Sequence, residues 1–132
     1  MINAPIHDLL IRIKNAYLAR RKVVDGVVYS TFKGKVLDLL KKFKFIQEYE
    51  VMSEGNKRTA RITLRYSGVR HEDIPVINFY SKPSKRWYVS KDNLPTIAAG
   101  RGIALVSTSH GLMAAHEAKK LGLGGELIAA IY

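Results

Sequence analysis

The chain has 132 residues, of which 47% are hydrophobic, so it is long enough to bury a core and too apolar to be a disordered tail. It contains no cysteine, which excludes a disulfide framework and a thiolate metal site. The 22 Lys and Arg residues outnumber the 11 Asp and Glu residues, and this net charge of +11 is typical of proteins that bind a polyanion, most often nucleic acid.

The two halves of the chain differ in charge. Residues 1–66 carry 14 basic and 6 acidic side chains, whereas residues 67–132 carry 8 and 5. The N-terminal residues show neither the basic region nor the apolar stretch of a signal peptide, and no apolar run is long enough to span a bilayer. We therefore expect a cytoplasmic protein whose first half contributes more attraction for a polyanion and whose second half contributes more selectivity.

An amphipathic helix is predicted at the start of the chain. Its apolar positions recur at helical spacing and comprise Ile6, Leu9, Leu10, Ile13, Ala16 and Tyr17. Asn3 is the expected N-cap, and Arg12 and Asn15 belong to the polar face. Valines on both sides of Asp25-Gly26 then predict two short extended segments joined by a turn.

A second helix is predicted after Ser30 and Thr31, which are the candidate N-caps. Its expected buried stripe consists of Phe32, Val36, Leu39, Leu40 and Phe43. The N-terminus of this helix combines free backbone N–H groups, the positive end of the helix dipole and two hydroxyls. It is therefore a candidate site for a phosphate group.

Two β-like segments follow, over residues 45–52 and 58–66, with a hairpin connection over residues 53–57. The resulting order α-β-α-β-β predicts a small sheet covered by two helices. The alternation of apolar and polar residues in the last of these segments stops at Ser67-Gly68. We therefore predict an α+β protein with an N-terminal α/β domain over residues 1–66 and a C-terminal β-rich domain with short helices over residues 67–132.

The second half shows mainly strand patterns. Residues 74–80 and 86–89 predict two strands around a turn. A single helical turn is predicted between Asp92 and Gly100, and a short apolar strand over residues 103–106. A short helix around residues 116–120 and a closing strand over residues 127–132 complete the predicted elements.

Basic and aromatic residues alternate in the returning strand, which contains Arg86, Trp87 and Tyr88. This combination is typical of nucleic-acid surfaces, because phosphates attract cations and exposed bases stack on flat rings. Aromatic residues in strands are more often part of the core. We favour the core for Trp87, and both interpretations stay open for Tyr88.

A polar segment follows the short strand, with Ser107, Thr108, Ser109 and His110 in succession before Gly111. Its three hydroxyls can donate and accept hydrogen bonds without carrying charge, which suits recognition of the shape and edges of a ligand. Taken alone, the segment is equally consistent with an ordinary polar turn. The glycines at 124 and 125 permit close packing, and we expect them to bring the carboxylate of Glu126 against this turn.

Several segments carry a family resemblance, including Gly100-Arg101-Gly102-Ile103-Ala104 and Leu94-Pro95. Ser107-Thr108-Ser109-His110-Gly111 with Gly124-Gly125-Glu126 closely resembles the C-terminal signature of bacterial ribosomal protein S-eight, the eighth protein of the small subunit. The run over residues 5–16 is similar to the opening helix of that family, and Ser81-Lys82-Pro83 through Arg86 is similar to its central turn. The resemblance covers essentially the whole chain, in order.

This resemblance implies a two-domain α/β protein that binds the central domain of small-subunit ribosomal RNA and helps to assemble the platform, with neighbouring ribosomal proteins packed against it. It also implies possible repression of a ribosomal-protein operon through messenger RNA. The protein would be a monomer when free, without a cofactor or a metal. The implied RNA-binding residues are Ser107, Thr108, Ser109, His110, Gly111, Tyr88, Lys82, Pro83, Arg86, Gly124, Gly125, Glu126, Ser30, Thr31, Lys33, Asn3, Arg12 and Asn15.

The sequence departs from the family pattern in three ways. Ser84 stands where the family usually has glycine, so the turn there is expected to differ in shape. His110 stands where a lysine or another basic residue is common, so one phosphate contact is expected to be weaker or pH-dependent. Ala114 and Ala115 replace the usual polar cap of the last helix, which weakens its start by about 1 kcal/mol.

The residues also bear on alternative functions. Ser107 is not in a Gly-x-Ser-x-Gly elbow, and Gly100-x-Gly102 leads into a strand without a third glycine, so neither hydrolysis nor nucleotide binding is expected. A DNA-binding or other nucleic-acid-binding regulator outside the ribosome stays an alternative. Its recognition helix would need a cluster of exposed Asn, Gln or Arg residues, and neither of the two long predicted helices has one. A basic protein-interaction module is a third possibility.

Overall fold

A computed structural model describes residues 3–66, 74–82, 84–97 and 100–132. The described residues form α-helices and two antiparallel sheets, so the predicted α+β class is confirmed. Backbone contacts divide the chain into two compact units, one of Pro5–Pro75 and the other of Val76–Tyr132 with Asn3 and Ala4 grouped with it. Because the rest of α1 lies in the first unit, the helix is described there. The expected boundary at Ser67-Gly68 lies outside the described residues, and the division into residues 1–66 and 67–132 stays a prediction.

The N-terminal unit has the predicted order α-β-α-β-β. Its elements are α1 (Asn3–Leu18), β1 (Val23–Val28), α2 (Thr31–Lys42), β2 (Glu48–Glu54) and β3 (Lys57–Thr63). The strands form an antiparallel sheet in the order β1-β3-β2. All six predicted apolar positions of α1 are buried, and the sheet contributes Val24, Val27, Ala60 and Ile62 to the core of this unit. The helical and strand periods of the sequence account for this core.

Two details of the N-terminal unit differ from the prediction. Asp25 and Gly26 do not form a turn between two segments, because β1 is one strand with a register shift between Val24 and Val27. This is a β-bulge, and Gly26 adopts its positive φ of 68°. In α2, Leu37 is fully buried, whereas the predicted Phe32, Leu39 and Phe43 are only half-buried. The buried stripe is therefore rotated toward Gly34, Leu37 and Leu40.

The hairpin between β2 and β3 is tighter than predicted. Glu54 pairs with Lys57, so the connection consists of Gly55 and Asn56 alone rather than five residues. Gly55 has a φ of +63°, which a two-residue hairpin turn favours.

The C-terminal unit is built around a five-stranded antiparallel sheet. Its elements are β4 (Ile77–Phe79), β5 (Tyr88–Val89), a 3-10 turn (Lys91–Asn93), β6 (Ile103–Thr108), β7 (Gly111–Ala114), α3 (Ala115–Leu121) and β8 (Gly125–Ile131). The main order is β4-β8-β6-β7, and β5 also pairs with β8. Because β6 occupies the other edge of β8, β4 and β5 share one edge, at opposite ends of β8.

The core of this unit lies between the sheet and α3. It contains Ile97, Ala104, Val106, Ala115, Leu127 and Ala130, with Tyr80, Val89 and Leu94 packed around it. The N-cap of α3 is Ala114, which makes no side-chain capping hydrogen bond, as its sequence predicts. The sequence does not predict strand β7, which is four residues long and begins with a glycine.

Three other predicted elements are shorter in the structure. The strand over residues 74–80 is limited to Ile77–Phe79, and the strand over residues 86–89 to Tyr88–Val89. The predicted helical turn before Gly100 is a 3-10 turn at Lys91–Asn93, and positions 98 and 99 lie outside the described residues. Within the described part of the chain, no helix is long and apolar enough to cross a membrane.

Candidate nucleic-acid interface

The predicted polar segment forms a β-hairpin, which we call the polar hairpin (residues 107–111). Thr108 pairs with Gly111 across it, and Ser109 and His110 make the connection. Thr108 Oγ1 donates to the carbonyl oxygen of Gly111 at 2.8 Å and accepts from the His110 N–H at 3.1 Å. Gly111 has a φ of +107°, which glycine adopts without strain. The Thr108 hydroxyl therefore shapes the turn, while Ser109 and His110 are exposed.

Three strands, β5, β8 and β6, place a row of residues that ends at the polar hairpin. Tyr88 pairs with Glu126, and Glu126 pairs with Ser107 on its other side. Direct cross-strand partners point to the same face of a sheet. The sheet register therefore brings Tyr88, Glu126 and Ser107 together on one face, although they are distant in sequence.

The Glu126 carboxylate has a cationic partner that the sequence did not indicate. Arg86 Nη1 donates to Glu126 Oε2 at 3.3 Å, and both side chains are largely shielded from solvent. Glu126 was expected to accept from the hydroxyls or N–H groups of the turn. That contact with the turn stays a prediction, and the contact with Arg86 joins β8 to the loop that precedes β5.

Gly124 and Gly125 allow the close backbone contacts that surround the polar hairpin. A Cβ atom at Gly125 would collide with the carbonyl oxygen of Ser107. A Cβ atom at Gly124 would lie 2.6 Å from the carbonyl oxygen of Val89. The predicted close packing at both glycines is therefore confirmed, and the atoms packed against them belong to the neighbouring backbone.

The Lys-Pro turn is held by a residue that was missed as a candidate, Ser81. Ser81 is 4% exposed, and its Oγ accepts from the Trp87 N–H at 2.8 Å and donates to the Leu127 carbonyl oxygen at 2.7 Å. These bonds pin the loop over residues 82–86 to β8. The sequence feature that indicates this role is a small hydroxyl residue, Ser81, at the end of a strand and directly before a turn.

At the tip of this loop, Lys82 and Lys85 exchange backbone hydrogen bonds of 2.8 and 3.0 Å. A tight turn therefore forms with Ser84 at the position where the family usually has glycine. Lys82, Ser84 and Lys85 are exposed, whereas Pro83 lies outside the described residues.

The two aromatic residues of the returning strand are both exposed. Tyr88 is 70% exposed, which favours the binding interpretation that had been left open. Trp87 is 48% exposed, so its predicted place in the core is wrong. The physical reason is its position at the edge of the sheet, directly before the two-residue strand β5, which pairs on one side with β8.

The remaining candidates belong to the N-terminal unit. Ser30 is the N-cap of α2, and its Oγ accepts from the Lys33 N–H at 3.2 Å. Lys33 Nζ donates to the Val28 carbonyl oxygen at 2.8 Å, which leaves two ammonium protons for other acceptors. Thr31 is exposed at the first helical position. The capping prediction for Ser30 is confirmed.

On α1, Arg12 and Asn15 are exposed and line a cleft against β1. Arg12 Nη2 donates to the Asp25 carbonyl oxygen at 2.7 Å, so the helix is tied to the bulge of β1. Asn3 is the first residue of α1, but its side chain lies outside the described part. Among the described residues, no group of three or more His, Asp or Glu side chains is arranged to hold a metal ion.

A strongly basic α+β chain that presents a polar hairpin beside exposed Lys and Tyr side chains has the features of the nucleic-acid-binding class of proteins. A family model described as ribosomal protein S8 matches residues 4–132. The chain therefore belongs to the ribosomal protein S8 family, as its sequence signature predicted.

Curated relatives are similar over the full length of the chain. The small ribosomal subunit protein uS8 of Dictyoglomus thermophilum is 42% identical over 131 residues, which cover 99% of this chain and 98% of the relative. The protein of the same name from Thermosipho africanus is 40% identical over 135 residues, which cover all of both chains. That of Lactobacillus delbrueckii is 39% identical over 132 residues, covering 100% and 99%.

Proposed function

We propose that this chain is a structural constituent of the small ribosomal subunit that binds ribosomal RNA directly in its central domain and helps to assemble the platform. The observation that carries the proposal is the cross-strand row of Tyr88, Glu126 and Ser107, next to the exposed Ser109 and His110. Family membership supports the RNA as ligand. The role is structural rather than catalytic.

The chemistry of the polar hairpin suits an RNA helix with irregular pairs. A-form RNA has a wide, shallow minor groove that displays 2′-hydroxyls and base edges. The Ser107 and Ser109 hydroxyls can donate and accept there without the length of a lysine or arginine side chain. Thr108, whose hydroxyl is already used within the turn, holds these groups in position. Gly125 allows β8 to pack closely against Ser107 and Thr108, and Gly124 allows a close contact with Val89.

Electrostatic attraction comes from basic residues outside the polar hairpin. Lys82 and Lys85 are exposed on the loop beside β5. Arg86 faces Glu126, so its charge is partly compensated and its role is to position the loop. In the N-terminal unit, Ser30, Thr31 and Lys33 at the start of α2, with Asn3, Arg12 and Asn15 on α1, form a second candidate RNA contact.

The proposal includes the remaining expectations from the family. Neighbouring small-subunit proteins pack against the chain, and the free protein is a cytoplasmic monomer that joins the ribosome. The same RNA shape in its own operon messenger RNA is a possible second ligand. We also retain the division into an N-terminal domain over residues 1–66 and an RNA-recognising domain over residues 67–132.

A binding titration tests this function. The ligand is a hairpin from the central domain of small-subunit ribosomal RNA, and the control is a fully paired RNA of equal length, each at two salt concentrations. We expect a preference for the irregular hairpin that survives at high salt, because hydrogen bonding to a specific shape depends less on salt than phosphate contacts do. Equal and steeply salt-dependent binding to both RNAs would contradict the proposal.

A third ligand separates this function from a DNA-binding regulator. A DNA hairpin of the same sequence lacks the 2′-hydroxyls that distinguish RNA at such a site. We expect it to bind much more weakly than the RNA hairpin. Equal affinity for the two would favour the alternative outside the ribosome.

A further inference from the structure

Trp87 is the single tryptophan of the chain, and it is half-exposed at the edge of the C-terminal sheet. An indole ring gains considerable free energy from burial, so an exposed one at a sheet edge is a candidate contact for a ligand. This position was expected in the core and has no role in the function proposed above.

The backbone of Trp87 is held on both sides. Its N–H donates to the buried Ser81 Oγ at 2.8 Å, and its carbonyl oxygen accepts from the Leu127 N–H at 2.8 Å. The ring meets Tyr80 in an edge-to-face contact, with centroids 5.6 Å apart and planes at 71°. Because the ring is anchored before any ligand arrives, little conformational freedom is lost when a flat group stacks on it.

Two lysines lie close to Trp87 in the sequence, on the loop that precedes it. Lys82 and Lys85 are both exposed, and Lys85 precedes Trp87 by two residues. Among the described residues, neither ammonium group makes an ion pair. The acidic residue of this region, Glu126, is paired with Arg86. An exposed ring that follows two exposed, unpaired lysines in the sequence suits a nucleotide, because the base can stack while its phosphates bind the ammonium groups.

Trp87, directly before β5, lies on the opposite face of the sheet from Tyr88, Glu126 and Ser107. Successive residues of a strand alternate between faces, and Tyr88 shares its face with Glu126 and Ser107. The Trp87 carbonyl oxygen accepts from the N–H of Leu127, and Leu127 belongs to the core under α3. Trp87 is therefore on the same face as that core. Strand β5 pairs only with β8 among the described strands, so its outer edge is open for a ligand to pass around.

We propose that an unpaired RNA nucleotide stacks on Trp87, with its flanking phosphates at Lys82 and Lys85. The chain would then hold RNA on both faces of the β5 edge: irregular helix at the polar hairpin, and an extruded base on the opposite side. The inference rests on the proposed RNA-binding function and adds to it a second, single-stranded subsite.

The single tryptophan makes a direct test possible, because all tryptophan fluorescence of the protein reports on this position. The probes are the central-domain RNA hairpin and the same hairpin with abasic residues in place of its unpaired nucleotides. With the first, we expect quenched emission and protection of the indole from acrylamide. With the second, which keeps the phosphates, emission should stay close to that of the free protein. The same response to both hairpins would overturn the stacking proposal.

Variants provide an independent measurement, with a dye-labelled hairpin as the reporter. Trp87→Ala should weaken hairpin binding roughly tenfold, whereas Trp87→Phe, which keeps a flat ring, should recover most of the affinity. Tyr132→Ala is the matched control, since Tyr132 is 44% exposed in the same unit and lies outside the proposed sites. Full affinity in Trp87→Ala would exclude the subsite.

The two proposals fail in different ways. If the wild-type protein prefers the irregular hairpin over the paired control but its tryptophan emission does not respond, the subsite is wrong and the proposed function stands. If the wild-type protein shows no preference between the two RNAs, the proposed function is wrong as well.

Discussion

Gly125 of β8 lies directly against the backbone of Ser107 in β6, so close that a Cβ atom at Gly125 would collide with the Ser107 carbonyl oxygen. The same atom would lie 3.2 Å from the Cα of Thr108. We predict that Gly125→Ala forces β6 and β8 apart and lowers the free energy of unfolding by about 1–3 kcal/mol. Chemical denaturation measures this loss, and hairpin binding should weaken with it.

Gly122→Ala is the control for Gly125→Ala. Gly122 has a φ of +69°, but no atom lies within 4 Å of the added Cβ. Its alanine variant should lose only about 1 kcal/mol through backbone strain and keep its RNA affinity. Equal RNA affinity in the two alanine variants would show that the contact at Gly125 does not shape the polar hairpin.

Ser109, the exposed serine of the polar hairpin, should contribute to RNA affinity and not to the stability of the fold. Ser109 makes no side-chain hydrogen bond within the described part of the chain. Ser109→Ala should therefore leave the unfolding free energy unchanged and weaken the irregular RNA hairpin by about 1–2 kcal/mol, with little effect on a random duplex. Equal losses on both RNAs would remove Ser109 from the recognition role.

Thr108→Val gives the opposite pattern. The Thr108 hydroxyl donates to Gly111 and accepts from His110, and valine has nearly the same shape without these bonds. We expect a loss of about 1–2 kcal/mol in unfolding free energy. RNA binding should weaken because the turn loses its shape. A Thr108→Val protein as stable as wild type would show that the turn does not depend on this hydroxyl.

Lys33 tests the second candidate contact, at the start of α2. Its ammonium group already donates to the Val28 carbonyl oxygen, which holds the charge near the helix N-terminus. Lys33→Ala should weaken all RNAs similarly and reduce the slope of log affinity against log salt by about one phosphate contact. Lys57→Ala, at the distant end of the β2–β3 hairpin, should leave the slope unchanged. Identical slopes for wild type and Lys33→Ala would mean that Lys33 neutralises no phosphate.

The helices and strands whose apolar residues recur with a clear period were predictable from the sequence. The helical spacing from Ile6 to Tyr17 and the alternation of Ala60 and Ile62 each have one face to bury, so local pattern and tertiary structure agree. The motif around Ser107 to Gly111 likewise identified the polar hairpin, because its residue types are unusual together.

The features that could not be predicted depend on contacts between distant residues or on position within the sheet. The pairing of Arg86 with Glu126 spans 40 residues, and nothing local to either residue indicates it. Trp87 is a large aromatic residue of the type that usually lies in a core. It is exposed because it lies at the edge of the sheet, directly before β5. Strand β7 is four residues long and begins with glycine, so it carries too little pattern to be recognised.

Tyr17 predicts how stability depends on alkaline pH. Its hydroxyl donates to the Phe45 carbonyl oxygen at 2.5 Å and accepts from the Arg65 N–H at 3.0 Å, and the side chain is 1% exposed. Burial raises the pKa of Tyr17 above its usual 10.0, only partly offset by the hydrogen bond from Arg65. The folded state therefore keeps its proton at a pH where the unfolded state loses it. We expect the unfolding free energy to fall as the pH rises above about 10.

Tyr17→Phe separates this effect from general alkaline unfolding. At pH 7 the variant should be about 1–3 kcal/mol less stable, since the Phe45 carbonyl and the Arg65 N–H lose their partner. Its stability should also decline less steeply above pH 10, although some decline should remain because burial likewise raises the pKa of Tyr66. Urea denaturation from pH 7 to 11 measures both. Parallel curves for the two proteins would show that the proton on Tyr17 is not linked to folding.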